Sequence, residues 1–110
     1  MSKTKSPIEI DVVIYMGGLD VEGVSFVRRK GYRIGKIIKN LALGHEIFIV
    51  EEDSEAYPRV VVEIVVSYDG LSETEKFKTR GIAHRIRRQI FERLNQENQT
   101  ETKVLLKELP

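Results

Sequence analysis

From residue 8 the chain alternates. Ile8, Ile10, Val12, Ile14 and Met16 are separated by Glu9, Asp11, Val13 and Tyr15, the period of two expected of a strand with one buried face. Gly17-Gly18 ends that run. Between Val21 and Arg29 the pattern fits two elements. Val24 and Phe26 alternate as in a strand, which would make residues 8 to 29 a hairpin, whereas Asp20 could cap a short helix. The alternation favours the strand. From Tyr32 the period becomes helical, with Ile34, Ile37, Ile38 and Leu41 on one stripe and Arg33, Lys36 and Lys39 opposite. Gly44 stands where a helix C-cap belongs.

Two further strands follow, His45 to Glu52 and Arg59 to Tyr68, joined by a polar turn through Asp53, Ser54 and Pro58. Consecutive Val and Ile in the second predict a central strand buried on both faces. After Asp69-Gly70, Ser72 and Glu75 have the spacing of a capping box. It predicts a long helix to about Asn95 with an apolar stripe of Ile82, Ala83, Ile86, Ile90 and Leu94. Gly81 inside it costs about 1 kcal/mol relative to Ala, and it could instead mark the true helix start, leaving residues 73 to 80 extended. Asn95 to Thr102 reads as a polar linker and Lys103 to Leu109 as an edge strand or frayed tail.

Asp11 to Leu19 and Glu63 to Leu71 echo one another, each an acid, four strand residues, two more positions and then Gly-Leu. Each is followed by a Phe, several cations, a glycine (Gly31, Gly81) and an amphipathic helix. Coincidence in a strand-rich chain explains the echo more simply than duplication of a ββα unit. The expected architecture is α+β. It is a single two-layer domain over residues 8–97, a mostly antiparallel sheet of four to five strands covered by two amphipathic helices in ferredoxin-like or ββαββα order. Residues 1–7 would be disordered or extended, and 98–110 a linker with a tail or edge strand.

Composition narrows the function classes. The 110 residues suit one domain. Ile and Val supply 24 of them, and Cys and Trp are absent, so the core is β-branched and no disulfide, thiol nucleophile or cysteine zinc site can form. The polar N-terminus has no apolar segment behind its lysines, and no run approaches a membrane span. A cytoplasmic protein fits, and the high charge leans towards a heat-adapted source.

Charge is the more telling property. The formal net charge is +1, yet Gly23 to His45 carries six Lys or Arg and no Asp or Glu, and Lys76 to Phe91 does the same. Between them, Glu46 to Glu75 has nine carboxylates against Arg59 alone. Such sorting speaks about partners and fields rather than chemistry.

Motifs for catalysis are weak. His45 and His84 stand in no recognised triad spacing, and Glu51, Glu52, Asp53 and Glu55 lack the spacing and glycine of a calcium loop. Gly17, Gly18 and Gly23, and again Gly31, Gly35 and Lys36, miss the pattern of a phosphate loop. Lys30, Gly31 and Tyr32 match the opening of the aromatic strand motif of RNA-recognition domains, but Arg33 and Ile34 break it. No catalytic residue, metal or cofactor is expected.

The basic runs are what remains. Phosphate binding requires cations at suitable spacing and no special motif. Arg28, Arg29, Lys30 and Arg33 cluster at an expected strand-to-helix junction, where helix N–H groups would add to an anion site, and Lys36 would contact phosphate beside them. Lys78, Arg80 and Arg85 cluster at the Gly81 junction, and Arg87 and Arg88 continue along the helix. Tyr32 or Phe26 could stack on a base. The expectation is a small non-enzymatic protein that binds nucleic acid, DNA or RNA, through both runs. One alternative is a self-associating module, a homo-oligomer in which the acidic centre of one copy meets the basic runs of another. A further one is an enzyme on a phosphorylated small molecule, with Arg28 to Arg33 as anion site and His45 or His84 as acid-base.

Overall fold

The computed structural model describes residues 6–41, 44–53, 59–97 and 101–110. Of the expected N-terminal segment only Ser6 and Pro7 fall within them. Ser54, Glu55 and Pro58 of the expected acidic turn lie outside.

The elements run β1 (Ile8–Tyr15), α1 (Val21–Leu41), β2 (Glu46–Glu52), β3 (Arg59–Ser67), α2 (Glu73–Glu97) and β4 (Glu101–Leu109). They form a small α+β domain with a four-stranded mixed sheet in the order β2-β1-β3-β4. The β-α-β-β-α-β order is the first of the two expected, but the sheet is not mostly antiparallel. β1 with β2 and β3 with β4 are parallel, and only the central β1–β3 pair is antiparallel. Each half is thus a strand, a crossover helix and a parallel strand beside the first. β2 and β3 are not a hairpin, because β1 lies between them.

Val21 to Arg29 is helix, not strand. The buried positions of α1 are Val27, Gly31, Ile34, Gly35 and Ile38, a helical stripe in which two members are glycine and vanish from any count of apolar residues. A Cβ on Gly31 would stand 2.0 Å from Ile14 Cδ1, and one on Gly35 would stand 2.7 Å from Ile49 Cδ1. Both glycines therefore let the α1 backbone approach the sheet where any larger residue would push it away. Asp20 caps this helix, its Oδ1 accepting from Gly23 N at 2.8 Å. α2 is helical from Glu73 straight through Gly81, so residues 73 to 80 are not extended. Its capping box is reciprocal: Glu75 N donates to Ser72 Oγ at 3.2 Å and Ser72 N to Glu75 Oε1 at 3.3 Å.

Both helices lie on one face of the sheet. Ile8, Ile10, Val12, Val60, Val62, Ile64 and Val66 meet Ile34, Ile38, Ala83, Ile86, Ile90 and Leu94 there in one core. Full burial of each large aliphatic side chain contributes about 1.5–3 kcal/mol. β3 is central, yet it is fully buried only on this face, its other side chains being half-buried. Among the described residues no second layer covers the opposite sheet face.

The echo between the halves is structural, and its unit is βαβ rather than ββα. Ile8 and Val60, Val12 and Ile64, Asp20 and Ser72, Ile34 and Ile86, and Ile38 and Ile90 all stand 52 positions apart and play the same parts. Gly18 and Gly70 obey that spacing with φ of 72° and 77°, a left-handed turn that glycine adopts without strain. Asp11 and Glu63 are 52 apart and also face each other in the β1–β3 ladder, so the pseudo-twofold axis passes between them.

Candidate nucleic-acid interface

The basic runs lie within helices and not at junctions. Arg28 to Lys36 occupies the middle of α1, seven residues or more after its first residue, Val21, so the helix N–H groups expected to help them are elsewhere, beside Asp20 and Glu22. Lys78 to Arg88 likewise lies inside α2. Since α1 and α2 contact each other on one side of the sheet, the two runs share the outer helical layer. Arg29, Tyr32, Arg33 and Lys36 on α1, and Lys78, Arg85, Arg87 and Arg88 on α2, are exposed, while Lys30 is half-buried with its Nζ 5.8 Å from the Phe26 ring centroid.

Arg28 and Arg80 are each paired with a carboxylate on a later strand. Arg28 Nε donates to Glu51 Oε2 at 2.9 Å, joining α1 to β2. Arg80 Nε donates to Glu108 Oε1 at 3.2 Å, joining α2 to β4. Arg28 and Arg80 are again 52 positions apart. Each ties its helix to the far end of the strand that follows it. Around Arg80 the contact grows into a small cluster. Tyr68, buried, donates its hydroxyl to Glu108 Oε1 at 2.7 Å, and the Arg80 guanidinium lies 5.1 Å from the Tyr68 ring centroid. Burial and the Glu108 carboxylate raise the Tyr68 pKa, and the bond from Tyr68, aided by Arg80, lowers that of Glu108.

Shallow concavities flank these arginines. One of 560 Å³ runs along the outside of α2, lined by Gly81, His84, Arg85, Arg87, Arg88 and Phe91. Among the described residues no carboxylate lines it, and Phe91 is 52% exposed within it. A second of 700 Å³ on α1 is lined by Val21, Glu22, Ser25, Arg28, Arg29 and Tyr32, with Tyr32 56% exposed. Phe26 and Phe77 are exposed on the same layer. The exposed aromatics of α2 escaped the sequence reading, although Phe77 and Phe91 both fall off the apolar stripe it defined.

The partial aromatic motif at Lys30-Gly31-Tyr32 is not on a strand. Gly31 is there for packing against Ile14. The histidines lie apart from the Arg28 to Arg33 group. His45 precedes β2, whereas Arg28 meets Glu51 near the other end of that strand, and His84 lines the α2 concavity. His45 Nδ1 is hydrogen-bonded to Ser6 Oγ, and partial burial holds its pKa below the ordinary 6.5. Among the described residues no cluster of three or more His, Asp or Glu could hold a metal ion, and no helix is long and apolar enough to cross a membrane.

No protein-family model matches the chain, and no curated protein matches it. Among solved structures, the chain is similar to a crystal structure of 5-carboxymethyl-2-hydroxymuconate delta-isomerase at 9% identity and a TM-score of 0.46, covering 96% of this chain and 83% of that one.

Proposed function

We propose that this protein binds nucleic acid through the outer surface of its helical layer. The observation that carries the reading is the α2 concavity, where Arg85, Arg87 and Arg88 surround a half-exposed Phe91 with no carboxylate among the described lining residues. Cations there would meet phosphates, and an exposed ring offers a stacking platform that tolerates any base. Tyr32 beside Arg29 supplies a second platform on α1. Phosphate contacts fall to Arg29, Arg33, Lys36, Lys78, Arg85, Arg87 and Arg88. Arg28 and Arg80, tied to Glu51 and Glu108, hold the helices in place instead.

The test is fluorescence anisotropy of labelled single- and double-stranded DNA and RNA at several salt concentrations. Affinity should fall steeply with salt, by about 0.9 log units per log unit of salt for each duplex phosphate contacted. The double variant Arg85→Glu/Arg88→Glu should lower affinity by about tenfold or more at low salt. Equal binding by variant and parent would end the proposal.

A further inference from the structure

The uncovered face of the sheet is sorted by both polarity and charge. Phe48, Val50 and Leu105 are 46%, 43% and 46% exposed on it, and half-buried Val13, Val61 and Val65 lie between them. An exposed apolar surface rimmed by polar residues marks an interaction site. Across the same face, β2 and β1 present Glu46, Glu52, Glu9 and Asp11, whereas β3 and β4 present Arg59, Lys103 and Lys107 with Glu63 as their acidic member among the described side chains.

The register converts that sorting into a geometry. Glu46, Glu9, Val65 and Lys107 form one row across the four strands; Phe48, Asp11, Glu63 and Leu105 form the next; Val50, Val13, Val61 and Lys103 the third. A second copy turned over about an axis parallel to the strands, between β1 and β3, keeps the rows and exchanges their ends. Glu46 then meets Lys107 of the second copy, Phe48 meets Leu105, and Val13 meets Val61. We propose that the open sheet face is a twofold interface occupied by a second copy of this chain. At ~4.8 Å between strands and ~3.3 Å per residue, the face covers roughly 450 Å² before side-chain relief is counted. With that relief it approaches the ~800 Å² of accessible surface per partner in a standard interface.

Two rows oppose the pairing: in the fourth, Glu52, Tyr15, Arg59 and Glu101, the rotation sets position 52 against position 101 of the second copy, and the central row costs more. Asp11 and Glu63 sit side by side at the centre of each face, and stacking two copies gathers four carboxylates, a cost no cation on the central strands offsets in that row. The dimer is therefore weaker than its apolar surface alone would make it, and neutralising Asp11 strengthens it. Both helical layers point outward in this arrangement, so it is independent of the nucleic-acid reading.

Sedimentation velocity on the intact chain decides the matter. The expected mass is that of two chains. Phe48→Glu, and Leu105→Lys on the other edge strand, each yield single chains with unchanged circular dichroism. Lys107→Glu weakens association, and adding Glu46→Lys to the same chain restores it. Asp11→Asn tightens association by about tenfold, the effect of removing one like-charge contact at each of two symmetric positions. A mass other than two chains, a dimer indifferent to Phe48→Glu, or failure of the charge-swapped double variant to recover overturns the proposal. So does a face that instead captures nucleic acid or another protein while the chain remains single.

Discussion

The two βαβ halves share one framework and secure it by different means. In the first, α1 lies on β1 and β2 through Gly31 and Gly35, whose missing side chains make room for Ile14 and Ile49. In the second, the position equivalent to Gly31 is the buried Ala83, and the position equivalent to Gly35 is the exposed Arg87. The first half gains close approach of backbone to sheet. The second has no glycine at those positions and adds the Tyr68–Arg80–Glu108 cluster. Where the first has Asp20 capping alone, the second has the reciprocal Ser72–Glu75 box. One backbone plan thus tolerates a glycine seam or a polar clasp at the same interface.

Substitution at the seam separates the halves most strongly. Gly31→Val drives two methyl groups into Ile14 and should cost about 3 kcal/mol or more, since the bulk meets a buried strand residue as well as helix backbone. Ala83→Gly in the other half removes a single buried methyl and adds backbone freedom, costing about 1–2 kcal/mol. Urea unfolding of both variants measures the difference. Equal costs would mean that the glycine seam is not what holds α1 to the sheet.

Next in size is the clasp. Glu108→Gln replaces the charged acceptor of Tyr68 and Arg80 and should destabilise more than Glu51→Gln, which has Arg28 as its one described side-chain partner. Glu108 has its pKa depressed in the folded state, first by the Tyr68 hydroxyl. Its stabilisation is complete above the unfolded carboxylate pKa and disappears as pH falls through the lower folded value. His45 adds to the same trend from a higher pH. Its folded pKa is also depressed, by burial, so the unfolded chain binds the extra proton and stability declines as pH drops below about 6.5. Thermal midpoints of parent and Glu108→Gln between pH 7 and 3 should therefore converge on acidification. Parallel curves would remove the clasp from the account.

Capping gives a smaller contrast. Ser72→Ala breaks one of two reciprocal bonds and Asp20→Ala breaks a single one, each costing about 1 kcal/mol. Gly81→Ala has the opposite sign. A Cβ at Gly81 meets nothing within 4 Å, so the substitution should stabilise by up to about 1 kcal/mol. Because Gly81 also lines the basic concavity, the same variant reports whether that groove needs its open floor.

Much of this frame was legible in the sequence. The alternation of Ile8 to Met16, its end at Gly17-Gly18, the Ser72–Glu75 spacing and the α2 stripe all became the elements they predicted. Residues 21 to 29 failed for an identifiable reason. Two buried positions of α1 are glycine, so its stripe read as broken, while Gly23 to Phe26 happened to alternate. Parallel pairing was hidden because periodicity reports which face is buried and not which strand lies alongside. The 52-residue echo carried that information: extended along the helices at constant spacing, it aligns Ile34 with Ile86 and Ile38 with Ile90. Matching Gly31 to Gly81 instead, 50 apart, obscured it. The cations were visible individually, but that Arg28 and Arg80 would each reach a carboxylate on a later strand depended on long-range geometry.

The comparison that matters most for function is between the outer helical layer and the open sheet. The direct measurement is a ¹⁵N–¹H correlation titration of the labelled protein with a short oligonucleotide. The account predicts shifts concentrated at residues 29–36 of α1 and 78–91 of α2, fading as salt is raised. Shifts on Phe48, Val50, Leu105 and their neighbours, or none at all at low salt, would contradict it.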